Sequence, residues 1–125
     1  MVAQRVLAIE QDWRIRKLIR ANLEPLGLLV QEAVGGQHGL GLIRETAPDL
    51  ILLDLDLPDM DAALLLSHLS DYLNHSIPII VMSAEPPDLQ LMQHEQATSY
   101  LQKPFAAPTL LLLVQQALDG SAART

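Results

Sequence analysis

Residues 49–62, "DLILLDLDLPDMDA", set five aspartates around one of the most apolar runs of the chain: Asp49, Asp54, Asp56, Asp59 and Asp61. Asp54 interrupts a run of Leu and Ile, where burial makes a charge costly unless a partner compensates it. A second acidic group, Glu10-Gln11-Asp12, follows the apolar segment "RVLAI". Ser83 ends the apolar segment "IPIIVMS", and Lys103 follows "SYLQ". From Ile77 to Asp119, Lys103 is the only Lys or Arg. Acids that sit together need a positive charge between them. Carboxylates gathered around a lysine suit nucleophilic attack on a phosphoryl group, a reaction in which positioning and charge neutralisation do most of the work. Mg²⁺, which takes oxygen ligands and keeps several waters, suits the same surroundings.

These residues fall at the ends of short apolar runs, which read as strands: 5–9, 28–34, 49–54, 77–83 and 99–102. Most are continuous rather than alternating, as expected of a parallel sheet covered on both faces. Helical spacing lies between them. Ile15, Leu18, Ile19, Leu23 and Leu26 recur at i, i+3, i+4, and Gly27 supplies a stop. Leu40, Leu42 and Ile43 mark a second helix, weakened by Gly39 and Gly41. Leu64, Leu65, Leu69 and Leu73 mark a third, with Asp61 as N-cap. A short fourth lies around 88–96, and a fifth runs from Pro108 to Leu118, with Pro108 suited to the first turn. Five β-α repeats predict a doubly wound α/β sandwich. In such a fold ligands bind beyond the carboxyl ends of the strands, the edge to which Glu10, Asp54, Ser83 and Lys103 are assigned. The domain is expected over 1–119, with 120–125 a disordered tail.

Composition narrows the function. The 125 residues suit one domain, half of them hydrophobic and only 3% aromatic, so the core must be Leu, Ile, Val and Ala. The net charge of −7 opposes direct nucleic-acid binding. The longest apolar run, 110–114, is too short to span a membrane, and Glu10 and Asp12 break any signal-peptide pattern. No cysteine is present. A cytoplasmic protein is expected. His38, His68, His75 and His94 lack zinc spacing, and "GGQHGLG" lacks the ending of a phosphate-binding P-loop.

The chain resembles the receiver domain of bacterial two-component response regulators, from Arg5 to about Leu118. "PDLILLDLDLPDMDA", "IPIIVMSA" and "YLQKPF" resemble the third-, fourth- and fifth-strand signatures of that family. The resemblance implies a flavodoxin-like fold with helices on both faces of a five-stranded parallel sheet, in order 2-1-3-4-5. It implies that Asp54 accepts a phosphoryl group from a histidine kinase or histidine phosphotransfer protein. Glu10, Gln11, Asp54 and the carbonyl of Asp56 would hold Mg²⁺. Ser83 and Lys103 would bind the phosphoryl oxygens, Ser83 and Tyr100 would form the switch, and the Lys103-Pro104 bond would be cis. Such a domain signals by protein–protein contact, here without an output domain of its own, as a monomer or weak dimer. The basic first helix is a candidate docking face for an acidic partner, set against a plain solvated face.

Departures from the family pattern point to a second function. Gln11 stands where the family keeps an acid, which weakens Mg²⁺ binding. Glu10 replaces an aspartate, and Ala62 and Gln96 replace glycines. The stretch from Ser83 to Tyr100 is short and holds Pro86-Pro87. A phosphorylation-independent adaptor is therefore the alternative to a phosphorylated receiver. A haloacid-dehalogenase-type phosphatase, with Asp54 as nucleophile and Asp56 as general acid, is more remote. Asp49, Asp59 and Asp61 read as solvated or capping residues, and Asp12 as the start of the first helix or, alternatively, a group that reaches toward the metal.

Overall fold

A computed structural model describes residues 2–72, 77–87, 89–93 and 97–123. Five parallel strands, β1 (Arg5–Ile9), β2 (Leu29–Ala33), β3 (Leu50–Asp54), β4 (Ile79–Ser83) and β5 (Ala97–Gln102), form one sheet in the order β2-β1-β3-β4-β5. Helices α1 (Trp13–Leu23), α2 (Gly36–Glu45), α3 (Ala62–Tyr72), α4 (Leu89–Met92) and α5 (Ala107–Ala123) connect and follow them. This is the doubly wound architecture that the β-α alternation predicts.

The alternation of side chains along each strand divides the core in two. Leu7, Ile9, Ile51, Leu53, Ile79 and Val81 pack with Leu40 and Ile43 of α2 and Leu65, Leu66 and Leu69 of α3. Val6, Ala8, Leu50, Leu52, Ile80 and Met82 pack with Ile19 and Leu23 of α1 and Leu110, Val114 and Leu118 of α5. Every residue of β3 and β4 is buried. That is why these strands read as unbroken apolar runs.

The helix ends follow local chemistry. The Asp12 carboxylate accepts from the Arg14 N–H at 2.9 Å and caps α1. A short 3₁₀ turn, Glu24–Leu26, ends at Gly27 with φ 84°, in the left-handed region that glycine enters at little cost. Asp61 caps α3 through the Ala63 N–H at 3.2 Å. Ala62 carries no strain, since no residue other than glycine has positive φ among the described residues. The helix α4 is stunted, as Pro86-Pro87 and the short connection lead one to expect.

Several boundaries differ from the sequence reading, most by one or two residues. The strand β5 starts at Ala97 rather than 99, because Ala97 pairs with Ile79 across an irregularity in the register and Thr98 Oγ1 donates to the Ile79 carbonyl. The helix α5 continues through Gly120 to Ala123, so the first residues of the expected tail are helical; the backbone bonds of the last turns propagate once Leu110, Val114 and Leu118 have seated the helix. The third helix ends at Tyr72 in the described chain, and Leu73, His75, His94 and Gln96 lie outside the described residues.

Asp49 and Asp59 have structural roles across the fold. Asp49 Oδ2 accepts from the Arg5 N–H at 2.7 Å, tying the start of β3 to the start of β1. Asp59 caps a helix to which it does not belong. Its two carboxylate oxygens accept from the Gly36 and Gln37 N–H groups of α2 at 2.9 and 3.0 Å. A Cβ on Gly35 would lie 2.8 Å from Asp59 Oδ1, so glycine there leaves room for the cap. The Gln37 and Gly36 donors hold the Asp59 carboxyl below its ordinary value of 3.8. Asp59→Ala should therefore cost about 1 kcal/mol of stability at pH 7. The contribution is full above the unfolded carboxyl value and fades as pH falls through the lower folded value. Urea melts of wild type and variant should separate at pH 7 and converge near pH 2; equal midpoints at pH 7 would show the cap to be worthless.

Candidate active site

The sheet register brings the acids and the lysine to one place. Ala8, Leu52 and Leu101 face the α1/α5 side. Two residues further on, at the carboxyl ends of the strands, come Glu10, Asp54 and Lys103. Glu10 prolongs the β1 pairing through its N–H to the Ala33 carbonyl at 2.9 Å, and Lys103 N–H reaches the Ser83 carbonyl at 2.8 Å. The Lys103-Pro104 peptide is cis, as the resemblance implies.

Glu10 and Asp54 are 0% exposed, and among the described residues Lys103 alone supplies positive charge between them. Its ammonium lies 2.6 Å from Glu10 Oε1 and 3.1 Å from Asp54 Oδ1. The contact to Glu10 is a close ionic approach rather than a well-aligned hydrogen bond. Burial raises the Glu10 carboxyl above its ordinary value; Lys103 and the Asp12 N–H pull it down, and Asp54 adds to the rise. Burial also works against the charge on Lys103, but Glu10 and Asp54 more than offset this and its pKa is raised.

Asp54 is held in one orientation. Its Oδ1 accepts from the Asp56 N–H at 2.9 Å and from Lys103. Its Oδ2 is buried without a hydrogen-bond partner among the described residues. An ionised carboxylate has acceptor capacity on both oxygens, so Oδ2 is the oxygen left for another reactant or cation. Ser83 is 6% exposed, and its Oγ accepts from the Glu85 N–H at 3.3 Å. Tyr100 packs against the α2/α3 side of the core, and its hydroxyl donates to the Ser83 carbonyl at 3.0 Å. Ser83 and Tyr100 are thus directly linked.

An orphaned carboxylate oxygen with a main-chain carbonyl nearby suits a hard cation, and Asp54 Oδ2 fits that role. Gln11 fits it less well. It turns its amide nitrogen, not its oxygen, to the Asp56 carbonyl at 2.9 Å. Among the described residues, no three His, Asp or Glu side chains are grouped to hold a metal ion. Asp12 is drawn away by Arg14, which holds its carboxyl below the ordinary value.

A cleft of about 610 Å³ opens over Glu10, Gln11, Asp56 and Lys103, with the 62%-exposed Trp13 on its wall. A second, apolar cleft of about 250 Å³ adjoins it at Lys103, between Ile15 and Leu18 of α1 and Pro104 and Phe105. The basic residues of α1 are largely neutralised within the fold. Arg16 and Arg20 both pair with Glu32 of β2 at 3.0 and 2.9 Å, Arg20 also pairs with Glu24, and Arg14 pairs with Asp12. The sequence reading missed these pairings. The i, i+4 spacing of Arg16 and Arg20 was visible, but their common partner on another element was not.

The family model of the response regulator receiver domain matches residues 6–115. The chain is 37% identical over 122 residues to the KDP operon transcriptional regulatory protein KdpE of Escherichia coli, an alignment covering 96% of this chain and 53% of that protein. It is 36% identical over 117 residues to the DNA-binding dual master transcriptional regulator RpaA of Synechocystis, covering 91% and 48%. The chain thus spans about half the length of these relatives. Among solved structures, a CheY-like receiver domain protein from Methanospirillum hungatei superposes with a TM-score of 0.90 at 25% identity, covering 99% of this chain and all of that one. CheY4 of Vibrio cholerae gives 0.84 at 27% identity, covering 94% and 100%. No helix among the described residues is long and apolar enough to cross a membrane. The matched sequence, the strand order and the acids and lysine at the strand ends agree: this chain belongs to the response regulator receiver domain family.

Proposed function

We propose that the domain is switched by phosphorylation of Asp54 and signals by binding another protein. The observation that carries this reading is the buried Asp54, fixed through Oδ1 by Lys103 and the Asp56 N–H, with Oδ2 unpartnered. The donor is a histidine kinase or histidine phosphotransfer protein. An Asp54 carboxylate oxygen forms the new P–O bond as the P–N bond of the phosphohistidine breaks, and the departing imidazole takes up a proton from solvent. Lys103 and the Ser83 hydroxyl bind the phosphoryl oxygens. Mg²⁺, held by Asp54 and the Asp56 carbonyl beside Glu10 and Gln11, supplies further charge neutralisation when bound. The apolar cleft between α1 and Phe105 is where the donor docks, since it adjoins Lys103. Ser83 and Tyr100 carry the signal outward, because a hydroxyl drawn to the phosphoryl group disturbs the main chain that Tyr100 binds.

Incubation with Mg²⁺ and acetyl phosphate or phosphoramidate, followed by intact-mass measurement, tests the reading. One added phosphoryl group is expected. No gain, under conditions that label another receiver, overturns it in favour of a phosphorylation-independent adaptor. The contact from Gln11 to the Asp56 carbonyl favours that second reading.

Asp56 and Glu85 should set the lifetime of the phosphoryl group. Both are exposed, each two residues beyond a site residue. Carboxylates at these two places would add negative charge beside the approaching water. Asp56→Asn and Glu85→Gln should each change the dephosphorylation rate about threefold or more, the effect of roughly 0.7 kcal/mol, while labelling persists. Identical decay in wild type and both variants would show that neither carboxylate reaches the phosphoryl group.

A further inference from the structure

Gln11 is exposed, yet its Nε2 donates across 45 residues of sequence to the Asp56 main-chain oxygen at 2.9 Å. The bond joins the turn after β1 to the loop after β3. A carbonyl only accepts, so the NH₂ end of the amide must face Asp56. Both ends of the bridge are already fixed. On one side, Glu10 Oε2 accepts from the Asp12 N–H at 3.0 Å, and Arg16 donates to the Glu10 carbonyl at 2.7 Å while its Nε holds Glu32. On the other, the Asp56 N–H is bound to Asp54. The Asp56 oxygen is therefore presented to Gln11 by two anchored segments.

We infer that the Gln11 amide is a built-in, uncharged bridge between these loops, holding the Asp56 carbonyl where a divalent cation would otherwise hold it, and that Mg²⁺ must displace it to bind. The second half rests on the proposed Mg²⁺ site. Charge supports the arrangement. Glu10 and Asp54 already outnumber Lys103, and an acid at position 11 would add a third carboxylate with no further cation. An amide adds none and still donates. A donor N–H and a cation cannot share one approach to the same oxygen, because both bring positive charge to it.

The test compares wild type, Gln11→Ala and Gln11→Asp. Melting temperatures in EDTA report the bridge, and Trp13 fluorescence, on the wall of the same cleft, reports Mg²⁺. Without metal, Gln11→Ala should melt about 3 °C lower, the loss of roughly one net hydrogen bond, and Gln11→Asp lower still. In Mg²⁺ titrations Gln11→Ala should bind about fivefold more tightly, because a competitor has gone and no ligand has been added, and Gln11→Asp about tenfold or more. A merely structural glutamine would lower the melting temperature without tightening Mg²⁺ binding. Weaker Mg²⁺ binding in Gln11→Ala would make the amide oxygen a ligand and overturn the inference, as would an unchanged melting temperature in EDTA. If none of the three, Gln11→Asp included, responds to Mg²⁺, the metal site itself fails and the displacement step with it. A lower melting temperature of Gln11→Ala in EDTA would still establish the bridge in that case.

Discussion

Lys103→Met should destabilise the metal-free domain by about 3 kcal/mol at pH 7 and remove most of its phosphorylation. Glu10 and Asp54 are fully buried, and Lys103 lies within 3.1 Å of both. Removing one partner of a buried ionic group leaves the other charges uncompensated, which costs about 3–5 kcal/mol; the partial exposure of Lys103 places the expectation at the lower end. The loss should depend on pH. Burial already raises the Glu10 carboxyl, and without the ammonium it rises further. A carboxyl whose folded pKa exceeds its unfolded value destabilises the fold as pH rises between the two. The gap between wild type and variant should thus be widest near pH 8 and shrink toward pH 5. Urea denaturation at both pH values measures it. Adding Asp54→Asn to Lys103→Met should recover part of the loss, because one buried charge disappears. An equal loss at both pH values, without recovery in the double variant, would place the effect in packing rather than charge.

Asp54→Asn should abolish phosphoryl incorporation entirely and raise metal-free stability by about 1 kcal/mol. The first effect follows from nucleophilicity. Asp54 Oδ2 is buried without a hydrogen-bond partner among the described residues, and an amide in place of this carboxylate is no nucleophile toward phosphorus. The second follows from charge. With Asp54 neutral, Glu10 and Lys103 balance one to one, and the like-charge contact between the two carboxyls is gone. The remaining side-chain oxygen can still accept from the Asp56 N–H, so the loop after β3 keeps its anchor. Intact mass after acetyl phosphate treatment and thermal melts in EDTA measure the two effects. Label on Asp54→Asn would make another residue the acceptor, and a lower melting temperature would show that the site tolerates the second charge better than the amide.

The fold was legible in the sequence because its signals are local or periodic. Unbroken apolar runs such as 50–54 and 79–83 report burial on both faces, and Gly27 and Asp61 end and begin helices through their own backbone chemistry. The meeting of Glu10, Asp54 and Lys103 was legible for the same reason. Each lies at the end of an apolar strand or just beyond it, two residues after one that faces α1 and α5. Parallel strands that end together deliver such residues to one edge.

Tertiary structure decided what depends on partners distant in sequence. The sequence left Asp59 as a solvated or capping residue, but nothing in it shows that the helix it caps is α2, 22 and 23 residues earlier. The basic run of α1 left a docking face and a plain solvated face both open, and nothing in it shows that Glu32 of β2 draws in Arg16 and Arg20, since charges pair with whatever the packing brings within reach. Gln11 was read as a poor metal ligand. Only the approach of the β3–α3 loop shows its amide nitrogen bound to the Asp56 carbonyl. A side chain's type states what it can donate or accept; which oxygen it finds is set by the packing of segments that the sequence keeps apart.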